Sequence, residues 1–139
     1  MTLWILDTDH VSLFQTGHPS VISRIQSTDP TALAVTIVTL EEQMYGRLNQ
    51  IRRAKSIEDL RAAYFNLNRT FAYFQTVNLL EFDLDATNCY QELSSQKIRV
   101  GTQDLKIGAI ALSHQAVIVT RNARDFRKIP LLQIEDWSI

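Results

Sequence analysis

The chain has one cysteine, four glycines and three prolines among its 139 residues. The cysteine, Cys89, falls in a stretch that reads as helical from Ala86 to Gln96, where it is expected to pack as a small hydrophobe. No tract rich in Gly, Pro or Ser interrupts the chain, no segment repeats, and residues 1–139 read as one domain. Long apolar runs are also missing. Ala116 to Thr120 and Leu79-Leu80 fall far short of the roughly 20 residues that cross a bilayer, so no membrane association is expected. The first residues, Met-Thr-Leu-Trp-Ile-Leu-Asp, carry neither a basic leader nor a long apolar core, and the expected location is the cytoplasm. The three histidines, His10, His18 and His114, are not spaced as a ligand pair on one helix turn, which argues against zinc.

Net charge is -1, so there is no global basic excess of the kind that announces non-specific phosphate binding. Positive charge is concentrated locally instead. Arg47, Arg52, Arg53 and Lys55 share a segment without acids, and Arg121, Arg124, Arg127 and Lys128 crowd around Asp125.

Three short apolar runs end in polar residues: Leu3 to Leu6 before Asp7-Thr8-Asp9, Leu33 to Val38 before Thr39, and Ala116 to Val119 before Thr120-Arg121-Asn122. Such runs suit buried parallel strands whose carboxyl ends open into polar loops. Helical spacing fills the intervals: Pro19 to Ile25, Leu40 to Gln50, Ser56 to Phe74, Asp85 to Gln96 and Gln103 to His114. Ser56 with Asp59 resembles a capping box, and so does Thr39 with Glu42. Strands alternating with helices predict an α/β fold, an α/β/α sandwich around a mainly parallel sheet. The Leu40–Gln50 and Ser56–Phe74 helices are expected to form a projecting hairpin, with a groove between them that accepts an apolar segment of a partner chain. Tyr64, Phe65, Phe71, Tyr73 and Phe74 wrap too far around the second helix to be buried by one face, so part of that surface is expected to meet another chain.

Ligands of open parallel sheets collect beyond the strands' carboxyl ends. Asp7 stands at one such end and Thr120 at another, Glu42 follows the second strand, and Asp104 lies in the first turn of its helix. Gathered carboxylates repel one another unless a cation neutralises them. Magnesium, a hard ion that takes oxygen ligands and retains waters, is the cation expected here, with manganese as a substitute. Each acid also has a purely structural reading: Asp7 and Asp9 as caps, Asp104 as a charge at a helix N-terminus, Asp125 in a solvated turn.

Four segments in order, Leu6-Asp7-Thr8-Asp9, Val38-Thr39-Leu40-Glu41-Glu42-Gln43-Met44-Tyr45-Gly46, Thr102-Gln103-Asp104-Leu105-Lys106-Ile107 and Val119-Thr120-Arg121-Asn122-Ala123-Arg124-Asp125-Phe126, resemble the successive motifs of PIN-domain ribonucleases, above all VapC-type toxins. The resemblance spans almost the whole chain. It implies a PIN-like sandwich, hydrolysis of RNA phosphodiester bonds, a cognate antitoxin and a homodimer. It implies that Asp7 and Asp104 hold magnesium and that Glu42 and Asp125 complete the catalytic acids. Thr120 and Asn122 would support them, and Arg121, Arg124, Arg127 and Lys128 would form a cationic rim for RNA. Many family members carry an acid where this chain has Asn122, which is why Asp125 is brought in. Two rival readings are a non-catalytic PIN-like binding module and a haloacid dehalogenase-type phosphatase with Asp7 as nucleophile and Asp9 as acid/base.

Overall fold

The structure is a computed structural model that describes residues 1–139. It contains five strands, β1 (Trp4–Leu6), β2 (Leu33–Thr36), β3 (Leu79–Leu80), β4 (Val117–Val119) and β5 (Gln133–Glu135), seven α-helices and one short 3-10 helix, Pro30–Ala32. The helices are α1 (Thr8–Gln15), α2 (Pro19–Gln26), α3 (Ile37–Arg53), α4 (Ile57–Phe74), α5 (Leu84–Ser95), α6 (Thr102–Ser113) and α7 (Ala123–Phe126). The strands form one sheet in the order β3-β2-β1-β4-β5, and every pairing is parallel. The chain builds leftward from β1 to β3, then crosses back to place β4 on the other side of β1. The reversal falls between β1 and β4, and there the loops leaving the two strand ends part and open a crevice.

Alternation along the strands makes the sheet two-faced. Ile5, Ala34, Leu80 and Ile118 point into one core with Leu105, Ala109, Ile110 and Phe126, under α5 and α6. Their neighbours Leu6, Val35 and Val119 point into a second core with Val11, Phe74 and Trp137, on the side of α1 and α4. Both faces are covered, which is the expected α/β/α sandwich. Each of the larger side chains buried this way contributes about 1.5–3 kcal/mol. α6 comes so close to the segment after α7 that a Cβ on Gly108 would stand 2.6 Å from Ile129 Cδ1, so a side chain here requires that terminal methyl to move.

Several boundaries differ from the sequence reading. Ile37 and Val38 are not strand but the first turn of α3. Thr36 is the cap: its Oγ1 accepts from Thr39 N at 3.2 Å. Thr39 therefore lies inside the helix, and the capping box assigned to Thr39 and Glu42 does not exist. Ser56 does cap α4, accepting from Asp59 N at 3.0 Å. α3 and α4 form the hairpin, tied by Arg47 Nε donating to Thr70 Oγ1 at 2.8 Å and Asn66 Nδ2 donating to Gln50 Oε1 at 3.3 Å. Tyr64, Phe65 and Phe71 lie exposed on α4, while Phe74 is buried. The depression between α3 and α4, the groove expected to take an apolar segment, is lined by Asn49, Gln50, Arg53 and Asp59 as well as by Tyr45, Ala54 and Ala62, so it mixes polar and apolar side chains. An apolar cleft of about 180 Å³ lies elsewhere, where Phe14, Ile25, Leu33, Tyr73 and Val77 meet beside β1 and β2. No helix is long and apolar enough to cross a membrane.

Candidate active site

Asp7 is the residue after β1, and its backbone N still donates to Val119 O at 2.9 Å, so the sheet itself fixes its position. Its side chain caps α1, with Oδ1 accepting from Thr8 N at 2.8 Å, while Oδ2 accepts from Thr120 Oγ1 at 2.8 Å. The capping role and the site role thus coincide in one carboxyl. Asp7 is 6% exposed. Burial, followed by the charge of Asp9, raises its pKa from 3.8 to about 7, against the lowering effect of its hydrogen bonds; Asp104 adds a smaller upward push.

Glu42 reaches the same crevice from α3. Thr8 Oγ1 has one proton and donates it to Glu42 Oε1 at 2.7 Å, so the 3.0 Å contact between Thr8 and the buried Thr39 hydroxyl has Thr39 as donor. This relay of two hydroxyls orients Glu42 from α1 and α3 together. Asp104, half-buried in the first turn of α6, accepts from Asn122 Nδ2 at 3.1 Å. Its pKa is raised, first by burial and then by the charges of Glu42, Asp125 and Asp9. The acids are therefore close enough to press on one another's ionisation, which is the electrostatic signature of a shared crevice.

Asn122 stitches the remaining parts together. Its Nδ2 also donates to Asp125 Oδ2 at 3.2 Å, and its backbone N donates to Thr120 Oγ1 at 2.9 Å. Asp125 faces solvent, and the Asn122 amide, followed by the nearby Lys128 and Arg124, holds its pKa below the ordinary value. Lys128 is 3.5 Å from Asp125 and also donates to Arg99 O at 3.2 Å. One of the four cations assigned to the RNA rim is thus paired inside the loop, while Arg121, Arg124 and Arg127 extend into solvent.

The sequence reading passed over Asp9 as a member of the cluster. Asp9 Oδ2 accepts from Arg121 N at 3.0 Å and lies 3.3 Å from Thr120 Oγ1, beside Asp7. The alternation Asp7-Thr8-Asp9 at a strand end was the available signal. His18 Nδ1 caps α2, and both ring nitrogens of His10 are bonded within the protein.

No three of the chain's His, Cys, Asp and Glu side chains converge tightly enough to enclose a metal ion. Magnesium asks for less, since it binds through one or two carboxylates and keeps several waters. The donors here are all oxygen, and the pKa values of Asp7 and Asp104 are raised first by burial and then by neighbouring carboxylates, both of which a hard cation offsets. The residues present fit such an ion.

No protein-family model matches the chain. It is 28% identical over 141 residues to a tRNA(fMet)-specific endonuclease VapC from Salmonella typhimurium, covering 99% of each chain. It is 26% identical over 110 residues to ribonuclease VapC2 from Rickettsia felis, covering 76% of this chain and 75% of that one. Among solved structures, it matches a chain of DNA-bound VapBC from Salmonella typhimurium with a TM-score of 0.79 and 27% identity over 99% of both chains. A chain of VapBC-1 from nontypeable Haemophilus influenzae shares the fold with a TM-score of 0.78. Over its full length, in sequence, in fold and in the order of its four motifs, this chain is similar to VapC-type ribonucleases.

Proposed function

We propose that this chain is a magnesium-dependent endoribonuclease and the toxin of a toxin-antitoxin pair. The observation that supports this most is the meeting of Asp7, Glu42 and Asp104, from the end of β1, from α3 and from α6, in one crevice, where the charge of Asp104 reaches Asp7 and the charge of Glu42 reaches Asp104. Its relatives are named ribonucleases and endonucleases. Asp7 and Asp104 hold the ion, and manganese replaces it. When bound, the ion stabilises charge on the scissile phosphate and eases deprotonation of the attacking water. Thr120 fixes the Asp7 carboxylate from β4, and Asn122 fixes Asp104. Glu42, aimed by Thr8, accepts the proton of the water as its oxygen bonds to phosphorus and the bond to the leaving ribose oxygen breaks. Asp125 acts from the solvent edge with less effect. Arg121, Arg124 and Arg127 offset the repulsion between the acids and the RNA backbone.

Several structural relatives were solved as VapBC or toxin-antitoxin complexes. By the same reading a cognate antitoxin inhibits this chain, and an apolar segment of it seats in the cleft at Phe14, Ile25, Tyr73 and Val77. The exposed Tyr64, Phe65 and Phe71 supply a homodimer face. The direct test is incubation of the purified protein with cellular RNA, with and without magnesium. Cleavage that requires the ion and disappears in Asp104→Asn supports the reading, and absence of any cut under all divalent conditions overturns it.

A further inference from the structure

Behind the crevice lies a bonded chain that runs from the last residues of the protein to its first helix. His10, in α1, is completely buried. Its Nε2 accepts from the backbone N–H of Trp137 at 3.1 Å. A backbone N–H can only donate, so Nε2 carries no proton, and the ring proton sits on Nδ1. Nδ1 is 2.8 Å from Asp9 Oδ1 and donates to it. Asp136 Oδ1 lies 3.5 Å from Nε2 but is already occupied by Ser138, whose N and Oγ donate to it at 2.8 and 2.6 Å. The Trp137 amide is itself anchored: its ring is buried against Trp4, with the Arg24 guanidinium 4.8 Å above it. Thr120 N donates to Glu135 O at 2.8 Å, which holds this carboxy-terminal segment beside the end of β4.

The far oxygen of Asp9 meets the site. It accepts Arg121 N–H and shares the Thr120 hydroxyl with Asp7, so from α1 it reaches the loop that carries Asn122 in place of an acid. We propose that Asp9 is a working carboxylate of the crevice and that His10 is its positioning residue, held in a single tautomer by the Trp137 amide. This rests on the nuclease reading above. It assigns to Asp9 much of the charge that Asp125, facing solvent and paired with Lys128, does not bring inside.

Two substitutions divide the imidazole's functions. In His10→Asn the amide nitrogen stands near the position of Nδ1 and retains the donor to Asp9 while losing the acceptor for Trp137 N–H. In His10→Gln the amide oxygen reaches toward Trp137 and the donor to Asp9 is lost. Both variants are expected to melt at lower temperature than wild type, because each leaves a cavity and one broken bond. Cleavage and magnesium affinity measured by calorimetry are expected to remain within threefold of wild type in His10→Asn and to fall at least tenfold in His10→Gln. Asp9→Asn, at a partly exposed position, is expected to fold and to lose at least tenfold in both. Asp9→Asn with wild-type cleavage and magnesium affinity overturns the proposal. So do His10→Asn and His10→Gln losing activity together in proportion to their melting temperatures, which is the mark of a purely structural histidine. If both His10 variants fail to fold, Asp9→Asn alone decides. Loss of magnesium affinity in Asp9→Asn, in a protein whose wild type cuts no RNA, rejects the nuclease reading and keeps the positioning role.

Discussion

Asp7→Asn is expected to make the metal-free protein more stable while destroying its activity. The carboxyl is pushed from 3.8 up to about 7, chiefly by burial and then by Asp9. At ~1.4 kcal/mol for each pKa unit, keeping Asp7 ionised in the folded state costs about 4 kcal/mol. The sign follows from proton counting. Between pH 3.8 and about 7 the folded protein binds a proton at Asp7 that the unfolded chain has released, so stability is fully present below pH 3.8 and is lost as pH rises through about 7. An asparagine carries no charge to desolvate. Its oxygen still accepts Thr8 N–H, its amide donates to Thr120 Oγ1, and the Thr120 proton turns to Asp9. This exchange of partners costs about 1 kcal/mol, which leaves a net gain of about 3 kcal/mol at pH 8. Urea unfolding in EDTA reads this as a midpoint higher by about 1–2 M at pH 8, and by almost nothing at pH 5. A difference that does not change between pH 5 and pH 8, or a variant less stable than wild type at pH 8, refutes the electrostatic account of Asp7.

Glu42→Gln is expected to lower RNA cleavage by about 10²–10⁴-fold, the range for removing a proton-transfer group, and Asp104→Asn to lose most cleavage through loss of an ion ligand, each with circular dichroism unchanged. Asp125→Asn is expected to lose less activity than Asp7→Asn in the same assay, because its carboxylate faces solvent beside Lys128. Asn122→Asp places a carboxylate between Asp104 and Asp125, so its metal-free form should unfold at lower urea and recover on adding magnesium, which a titration of midpoint against magnesium detects. Phe71→Glu, at a position 54% exposed, should leave monomer stability within about 0.5 kcal/mol and abolish self-association in light scattering at high protein concentration.

The central strands were legible because β1 and β4 are buried on both faces and read as unbroken apolar runs. β3 and β5 were not: Leu79-Leu80 is too short to carry a period, and Gln133-Ile134-Glu135 lies at the sheet edge, where half-exposed polar residues hide the strand. Ile37 and Val38 read as strand from their β-branched side chains, and only the Thr36 cap tells that α3 has begun. The acids Asp7, Glu42 and Asp104 were legible because each stands next to a local boundary that motif order preserves. Asp9 and His10 were not, because their partners Thr120, Arg121 and Trp137 are more than a hundred residues away in sequence. Likewise the pairing of Lys128 with Asp125, which weakens the cationic rim, depends on how the turn after α7 closes.

The most direct test of the crevice is single-turnover cleavage of RNA by the purified chain across a magnesium titration, run beside Asp7→Asn and Asp104→Asn. The account predicts cleavage that is absent in EDTA, saturates with magnesium, returns with manganese and is lost in both variants. Cleavage by wild type in EDTA, or cleavage at the wild-type rate by either variant at saturating magnesium, contradicts it.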